Sequence, residues 1–467
     1  MSSVAIVGGG ITGLTAAFRL RQKGASVTLY EASDRAGGVI QSIRQDGYLA
    51  EFGPNTILET SPKIGQLIAD LGLQSRRWDS DPKANKRFLA RDHKLVEVPG
   101  SPGAFFSTPL FSTRAKMRLF IEPFIRRAPA DVEESVAQLV LRRIGREFLD
   151  YAINPLVAGI YAGDPARLSV LHAFPKLHAL EQRYGSLILG QILGARERKR
   201  RAEVSKQDAK KVSFDEGLQV LTDTLAARLG KDIQYRTAIT RVEQVLSDKS
   251  LPPQWSLTLQ VNGQEETTRH EAVLLTGTAY QVPEIRLAGS GSIVSPLSEI
   301  VYPPVTSVVL GFRREDVTHP LDGFGVLIPQ VENLSILGAI FSSSLFPNRA
   351  PAGHVTLTCY VGGTRDPDLA RQNPDKLVEL TLADLRVLLG VKGAPTFRHC
   401  RHYPKAIPQY EVGYGRYKEW MTQLETKAPG LFFAGHYRDG ISLGDSLVSG
   451  YNAADRLAEL AAASPGT

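Results

Sequence analysis

Val4-Ala5-Ile6-Val7-Gly8-Gly9-Gly10-Ile11-Thr12-Gly13 opens the chain with a β-branched run that feeds a cluster of glycines, and Leu14-Thr15-Ala16-Ala17-Phe18-Arg19-Leu20 continues it as a helix with an apolar face. Strand, glycine turn and helix in this order is the setting in which G-x-G-x-x-G has a mechanical meaning. Gly8 permits the tight turn, Gly10 lets the backbone approach a pyrophosphate, and Gly13 lets the helix pack close to the strand. The first helical N–H groups and the helix dipole then face the phosphates, with Gly9, Ile11 and Thr12 completing the turn. A second strand, Ser26-Val27-Thr28-Leu29-Tyr30, ends at Glu31. An acidic side chain at that point accepts hydrogen bonds from ribose hydroxyls. The spacing therefore predicts a Rossmann-like unit that binds a dinucleotide.

Ala32-Ser33-Asp34-Arg35-Ala36-Gly37-Gly38-Val39 follows directly. Its arginine and paired glycines resemble the extended motif of glutathione-reductase-like flavoproteins. That implies FAD rather than NAD, with Arg35, Gly38 and Val39 lying along the cofactor. The far end of the chain supplies a complementary piece. Residues 430–436 read as an apolar strand and turn, and the glycine-rich stretch 440–450 opens a helix. This places Gly435, His436, Ile441, Ser442 and Leu443 at the flavin, the helix N-terminus being expected to stabilise negative charge on the reduced ring. Residues 238–243 resemble the strand whose valine backbone contacts adenine in this class, here Val242.

A chain of 467 residues, 43% hydrophobic and 22% charged, has room for two or three domains with cores of their own. No run reaches the ~18 apolar residues of a membrane-spanning helix, and the first residues lack the basic head and cleavage site of a signal peptide. A cytoplasmic protein is expected. The two cysteines, Cys359 and Cys400, argue against a disulfide framework and for a reducing compartment. The net charge of +7 favours an anionic partner, either acidic lipid or a carboxylate substrate. Nucleic acid is not expected, because the basic residues are not interleaved with aromatics. No metal is expected either, because no C-x-x-C or H-E-x-x-H spacing occurs.

The expected fold class is α/β plus α+β. A discontinuous Rossmann-like FAD-binding domain takes residues 1–85, 205–295 and 405–467. A mostly helical, membrane-facing region takes 90–205, with helices over 131–145 and 177–194. A substrate-binding sheet takes 296–404, with strands over 305–312, 325–329, 336–341 and 354–361. The charged tract from Arg196 to Lys211 reads as a solvated loop. Its alternative is a contact with anionic headgroups, supported by the apolar face of Leu187, Ile188, Leu189, Ile192 and Leu193.

Three internal segments carry a more specific resemblance: Phe52-Gly53-Pro54-Asn55; the block from Arg142-Arg143-Ile144-Gly145-Arg146-Glu147 through Ile160-Tyr161-Ala162-Gly163-Asp164 to Leu168-Ser169; and Ala406-Ile407-Pro408-Gln409-Tyr410-Glu411-Val412-Gly413. Over almost its whole length the chain resembles the protoporphyrinogen oxidase family. The resemblance implies removal of six hydrogens, in three two-electron steps, from a methylene-bridged tetrapyrrole that carries two propionates. Oxygen would reoxidise a non-covalent FAD and yield hydrogen peroxide. It also implies that Gly53, Pro54, Asn55 and Thr56 border the flavin, with Asn55 near the substrate too. Arg87, in Lys86-Arg87-Phe88-Leu89, would clamp a propionate, and Gly159 would let backbone approach the macrocycle. The family usually has histidine where this chain has Tyr414, so no catalytic duty is assigned there. Covalent flavin attachment through Cys400, known from some amine oxidases, is not expected.

The rival on the same fold is the coproporphyrinogen-oxidising branch, whose substrate has four propionates. The segment Gly440-Ile441-Ser442-Leu443-Gly444 looks closer to plant-type members. An amine oxidase or carotenoid-type desaturase is a more distant alternative. Peripheral contact with the inner face of a membrane and a homodimer both stay open.

Overall fold

The computed structural model describes residues 3–129, 131–201, 209–245, 254–288, 292–293 and 295–463. β1 (Ser3–Val7) leads into α1 (Ile11–Gln22) and returns as β2 (Ser26–Tyr30), and the two strands pair in parallel from Ser3 with Ser26 to Val7 with Tyr30. Parallel strands need a crossover, and the crossover helix covers the sheet. Hence β1 is a nearly continuous apolar run rather than an alternating one, with Val4, Ala5 and Ile6 buried. Three strands from much later in the chain complete this parallel sheet. Ile233–Gln234 lies beside β2, while Ala272–Leu275 and Leu431–Phe433 lie on the far side of β1. The discontinuity inferred from the sequence is a property of this sheet.

A separate antiparallel meander follows, formed by Thr237–Val245, Gln254–Val261 and Gln264–His270. Its second hairpin turns at Asn262-Gly263, both at positive φ. That is the backbone a two-residue turn needs to match strand twist.

The largest sheet has seven strands. They are β3 (Lys86–Arg91), β4 (Lys94–Glu97), β5 (Val305–Arg313), β6 (Gly323–Leu327), β7 (Ile336–Ile340), β8 (His354–Gly362) and β9 (Phe397–Tyr403), arranged β9-β5-β8-β7-β6-β3-β4. Four of these are the strands expected between 305 and 361. Residues 86–97 are a correction. The expected cofactor piece ended at 85 and the helical region began at 90, whereas β3 and β4 are the last two strands of the substrate sheet, with β4 at its edge. Their pairing is what the sequence hides, because β3 runs parallel to β6, more than two hundred residues away.

The helical region spans the stretch from Pro102 to Arg201. The helix expected over 131–145 is shorter, Val136–Arg143, because Ser135 and Gln138 form a reciprocal capping box that fixes its start. The helix expected over 177–194 is two helices, Pro175–Tyr184 and Leu187–Arg201, broken at Gly185 in the left-handed conformation. The charged tract therefore begins on a helix, not a loop; residues 202–208 lie outside the described residues. Among the described residues no helix is long and apolar enough to cross a membrane.

Candidate functional site

The nucleotide end of the site is built from backbone. The Gly8 N–H donates to Tyr30 O at 2.9 Å, closing the turn between β1 and β2. Glu31 is held in place before any ligand arrives. Its Oε2 accepts from Gly9 N at 2.7 Å, and its Oε1 accepts from the N–H and hydroxyl of Ser33 at 2.8 and 2.7 Å. A carboxylate has about four acceptor sites, so acceptor capacity is left for ribose hydroxyls. A Cβ on Gly13 would stand 2.0 Å from Gly8 O, so glycine is obligatory there. A Cβ on Gly10 would meet nothing within 4 Å, and one on Gly38 only the Gly10 Cα at 3.5 Å. Gly10 and Gly38 thus edge one vacant space in front of α1, whose N-terminus has no side-chain cap. The Ile11 and Thr12 N–H groups belong to that first turn. A pyrophosphate fits this cradle.

Arg35 does not reach outward. It donates to the carbonyls of Ala36 at 3.0 Å, of Ile40 at 3.3 Å and of Gly38, so it shapes the loop that carries Gly38 and Val39. That loop touches the next motif, since a Cβ on Gly53 would lie 2.5 Å from Val39 O. Phe52, just before the Gly53-Pro54-Asn55-Thr56 turn, stacks on His399 with centroids 4.1 Å apart. The C-terminal piece arrives from the other side. Thr12 donates to Ser446 O at 3.0 Å, bringing α1 against the helix Leu443–Ala463. Ser442 caps that helix by accepting from Asp445 N at 3.0 Å, and Asp445 accepts from Ser442 N at 3.4 Å. The expected anion-stabilising helix end therefore already carries a carboxylate of its own. Gly435 and His436 follow the strand Leu431–Phe433, and Ile441 is half-buried beside them. Burial pushes the His436 imidazole down to about 4, so it is neutral at pH 7, with Nε2 3.2 Å from the Tyr302 hydroxyl.

One face of the seven-stranded sheet gathers the expected substrate residues. Directly paired residues share a face, and Leu89, Leu327, Gly338, Tyr360 and Ser307 form one such row across β3, β6, β7, β8 and β5. Arg87, two residues before Leu89, projects from the same side. Asn55 donates its amide N–H to the Tyr360 hydroxyl. Gly159, on α2 (Asn154–Tyr161), packs so close to this row that a Cβ would lie 2.4 Å from a Leu327 methyl. Asn55, Gly159 and Arg87 therefore border one surface. The strands that carry Arg87 and Tyr360 are three strand spacings apart, roughly 14 Å. Phe52 and His399 stack at the β9 edge of this surface.

The sequence profile of the flavin-containing amine oxidoreductases matches residues 11–458. The chain belongs to that family. It is 35% identical to the mitochondrial protoporphyrinogen oxidase of Nicotiana tabacum, over 97% of this chain and 94% of that one. It is 29% identical to coproporphyrinogen III oxidase of Bacillus subtilis (strain 168), over 96% of each. A crystal structure from Exiguobacterium sp. 255-15 shares the fold at a TM-score of 0.80, with 23% identity, covering 98% of this chain and 99% of that one. The protein is an FAD-dependent oxidoreductase.

The structure moves one expected residue of this flavoenzyme away from its cofactor. Val242 lies in the middle of the strand Thr237–Val245, paired to Leu257 on one side and Leu287 on the other, so its backbone is shielded from an adenine. The part of that strand nearest the ribose carboxylate is its start, where Thr237 N donates to Glu31 O at 3.0 Å. The sequence reading also missed Tyr302, Tyr360 and Tyr410, which bond to His436, Asn55 and the His436 carbonyl. No local signal marks them, since each pairs with a residue distant in sequence. Cys400 faces away from the flavin side. It pairs with Val308 and packs among the buried residues under the helix Pro374–Leu389, where burial raises its thiol to about 11. Among the described residues no group of three or more metal-ligating side chains occurs.

Proposed function

We infer that this flavoenzyme oxidises protoporphyrinogen IX to protoporphyrin IX, with oxygen as electron acceptor and hydrogen peroxide as co-product. The observation that carries the reading is the convergence of Asn55, Gly159 and Arg87 on one sheet face, in a chain 35% identical to the tobacco enzyme over 97% of its length. FAD, when bound, supplies the two-electron acceptor. The protein's share is positioning. The half-buried part of the face at Tyr360, bordered by Asn55 and by the helix of Gly159, receives the flat macrocycle and excludes water, while Arg87 at the far end of the face suits a carboxylate.

Arg87→Ala is expected to raise KM about ten- to a hundredfold with kcat little changed, the loss of one charge-assisted bidentate contact. Steady-state kinetics check this, and an unchanged KM removes the propionate role. The Bacillus subtilis relative favours coproporphyrinogen III as the second reading. Parallel assays of both porphyrinogens decide it. A kcat/KM at least about tenfold higher for protoporphyrinogen, or about 1.4 kcal/mol in transition-state stabilisation, supports the main reading. The reverse ratio assigns the protein to the other branch.

The reading extends to peripheral binding on the inner face of a membrane by a cytoplasmic protein. What supports it is a cluster of exposed apolar side chains in the helical region. Phe124 is 86% exposed and Ile121 60%, with Phe106, Met117 and Phe120 nearby and Leu189, Ile192 and Leu193 on the adjoining helix. Of the apolar face expected there, Leu187 is core instead. Arg114, Arg118, Arg126 and Arg127 flank the patch and suit anionic headgroups. The double variant Ile121→Glu, Phe124→Glu is expected to lose most co-sedimentation with anionic vesicles while keeping its turnover in detergent. Undiminished sedimentation sinks the idea.

A further inference from the structure

The segment 406–413 stood out in the sequence, yet it lines neither the nucleotide cradle nor the substrate row. Besides the bonds from Ala406 N to Pro303 O and from Gln409 N to Val301 O, its contacts run in two directions. Toward the helix of Gly159, Gln409 Nε2 donates to Tyr161 O at 2.8 Å, at the end of α2. Tyr410 O accepts from Ser169 N at 2.8 Å, and Val412 N donates to Arg167 O at 3.0 Å. Toward the cofactor, the Tyr410 hydroxyl donates to His436 O and accepts from Gly440 N at 3.1 Å. One hydroxyl thus closes residues 436–440 into a ring, between the strand Leu431–Phe433 and the start of the C-terminal helix. Tyr414 adds a single bond to the next carbonyl, Tyr437 O, at 2.6 Å. Tyr410 is 2% exposed, and burial pushes its hydroxyl well above the ordinary tyrosine range, so it stays protonated and able to donate.

We propose that Tyr410 is a positioning residue that welds the stretch 161–169, which runs on from the Gly159 helix, to the flavin-side loop 436–440 and so fixes the separation between the reacting carbon and the cofactor. This rests on the reading of 435–443 as the flavin edge. Rigid supports of this kind matter because a misplacement of about 1 Å can cost on the order of a hundredfold in rate. Tyr410 touches no reacting atom; it acts through the loop. Removing its hydroxyl leaves two part-buried backbone groups of that loop without this partner.

The test compares Tyr410→Phe with Tyr414→Phe in the purified holoenzyme and in FAD-stripped protein titrated with FAD, following quenching of flavin fluorescence. For Tyr410→Phe we expect an FAD dissociation constant raised about tenfold, a shifted visible flavin spectrum, and kcat lowered about tenfold at an unchanged porphyrinogen KM. The thermal midpoint of the FAD-stripped protein should stay near wild type. Tyr414→Phe, which breaks one bond without opening the ring, should leave FAD affinity within about twofold. Wild-type FAD affinity and spectrum in Tyr410→Phe overturn the proposal. So does a lowered thermal midpoint with kcat per bound flavin unchanged. If wild type itself fails to quench flavin, the cofactor reading has failed instead, which is a separate result.

Discussion

Gly13→Ala is expected to yield a protein that no longer retains FAD and unfolds at a lower temperature than wild type. The new methyl would stand 2.0 Å from Gly8 O and 2.7 Å from the Thr276 hydroxyl, which itself bonds Val7 O and Gly8 O. The obstacle is backbone on the floor of the nucleotide turn, so no side chain can rotate to relieve it. Overpacking in a tight core costs about 1–3 kcal/mol. Displacing the turn should weaken FAD by about a hundredfold or more, near 3 kcal/mol. Gly10→Ala is the instructive contrast, because its methyl meets no protein atom within 4 Å. It should fold as wild type and still lose FAD, since the methyl occupies the space left for phosphate. Thermal unfolding of the stripped proteins and FAD titration separate the two effects. If Gly10→Ala binds FAD normally, the vacant space is not the phosphate cradle.

Arg143→Met should be the most destabilising single change in the helical region. Arg143 and Glu122 are fully buried and Glu181 is 1% exposed. Arg143 bonds Glu122 Oε1 at 3.1 Å and Glu181 Oε1 at 2.5 Å, and it also donates to the Glu122 and Ile125 carbonyls. Glu122 in turn accepts from Leu187 N at 2.9 Å and from Ile188 N at 3.3 Å, capping the second of the split helices. A buried pair gains little over an apolar substitute, but removing one partner leaves uncompensated charge and costs about 3–5 kcal/mol. Here one guanidinium serves two carboxylates, so the upper part of that range is expected, measured by thermal or denaturant unfolding followed through helical circular dichroism. A loss under about 1 kcal/mol would mean that the carboxylates find other partners. The acid dependence has a defined sign. Burial acts to raise Glu181, but hydrogen bonds from Arg142 and Arg143 outweigh it and hold the carboxyl below its usual value. Its contribution is therefore complete above the ordinary carboxylate range and is lost as pH falls through the lowered value. In Arg143→Met this acid sensitivity should weaken.

The cofactor half of the fold was legible because its instructions are local. Strand, turn glycines, helix and Glu31 lie within the first thirty-one residues, and each structural requirement falls on the residue that announces it. The four central strands of the large sheet were legible for a similar reason, being bounded β-rich runs. β3 and β4 were not: β3 is placed by parallel pairing with a distant strand, and the Asp92-His93 turn that joins it to β4 was not read as a hairpin. The split at Gly185 and the shortened helix at Ser135 were there to be read as a C-cap and a capping box, but helical periodicity alone runs through both. Arg87, Asn55 and Gly159 came from family resemblance, and the sheet brings them to one face. Val242 shows the limit of that transfer. A strand can be identified correctly while the pairing of a given residue within it stays hidden, since register along a strand is set by neighbours the sequence does not display.

The most direct test mixes the purified, FAD-loaded protein with protoporphyrinogen IX in the absence of oxygen and follows flavin absorbance together with porphyrin fluorescence. The visible absorption of the oxidised flavin should bleach as the first two electrons are taken, and admitting oxygen should restore the absorption, release peroxide and let porphyrin fluorescence rise as the two further two-electron steps follow. A bound flavin that stays oxidised with protoporphyrinogen, and with coproporphyrinogen III beside it, would contradict the account.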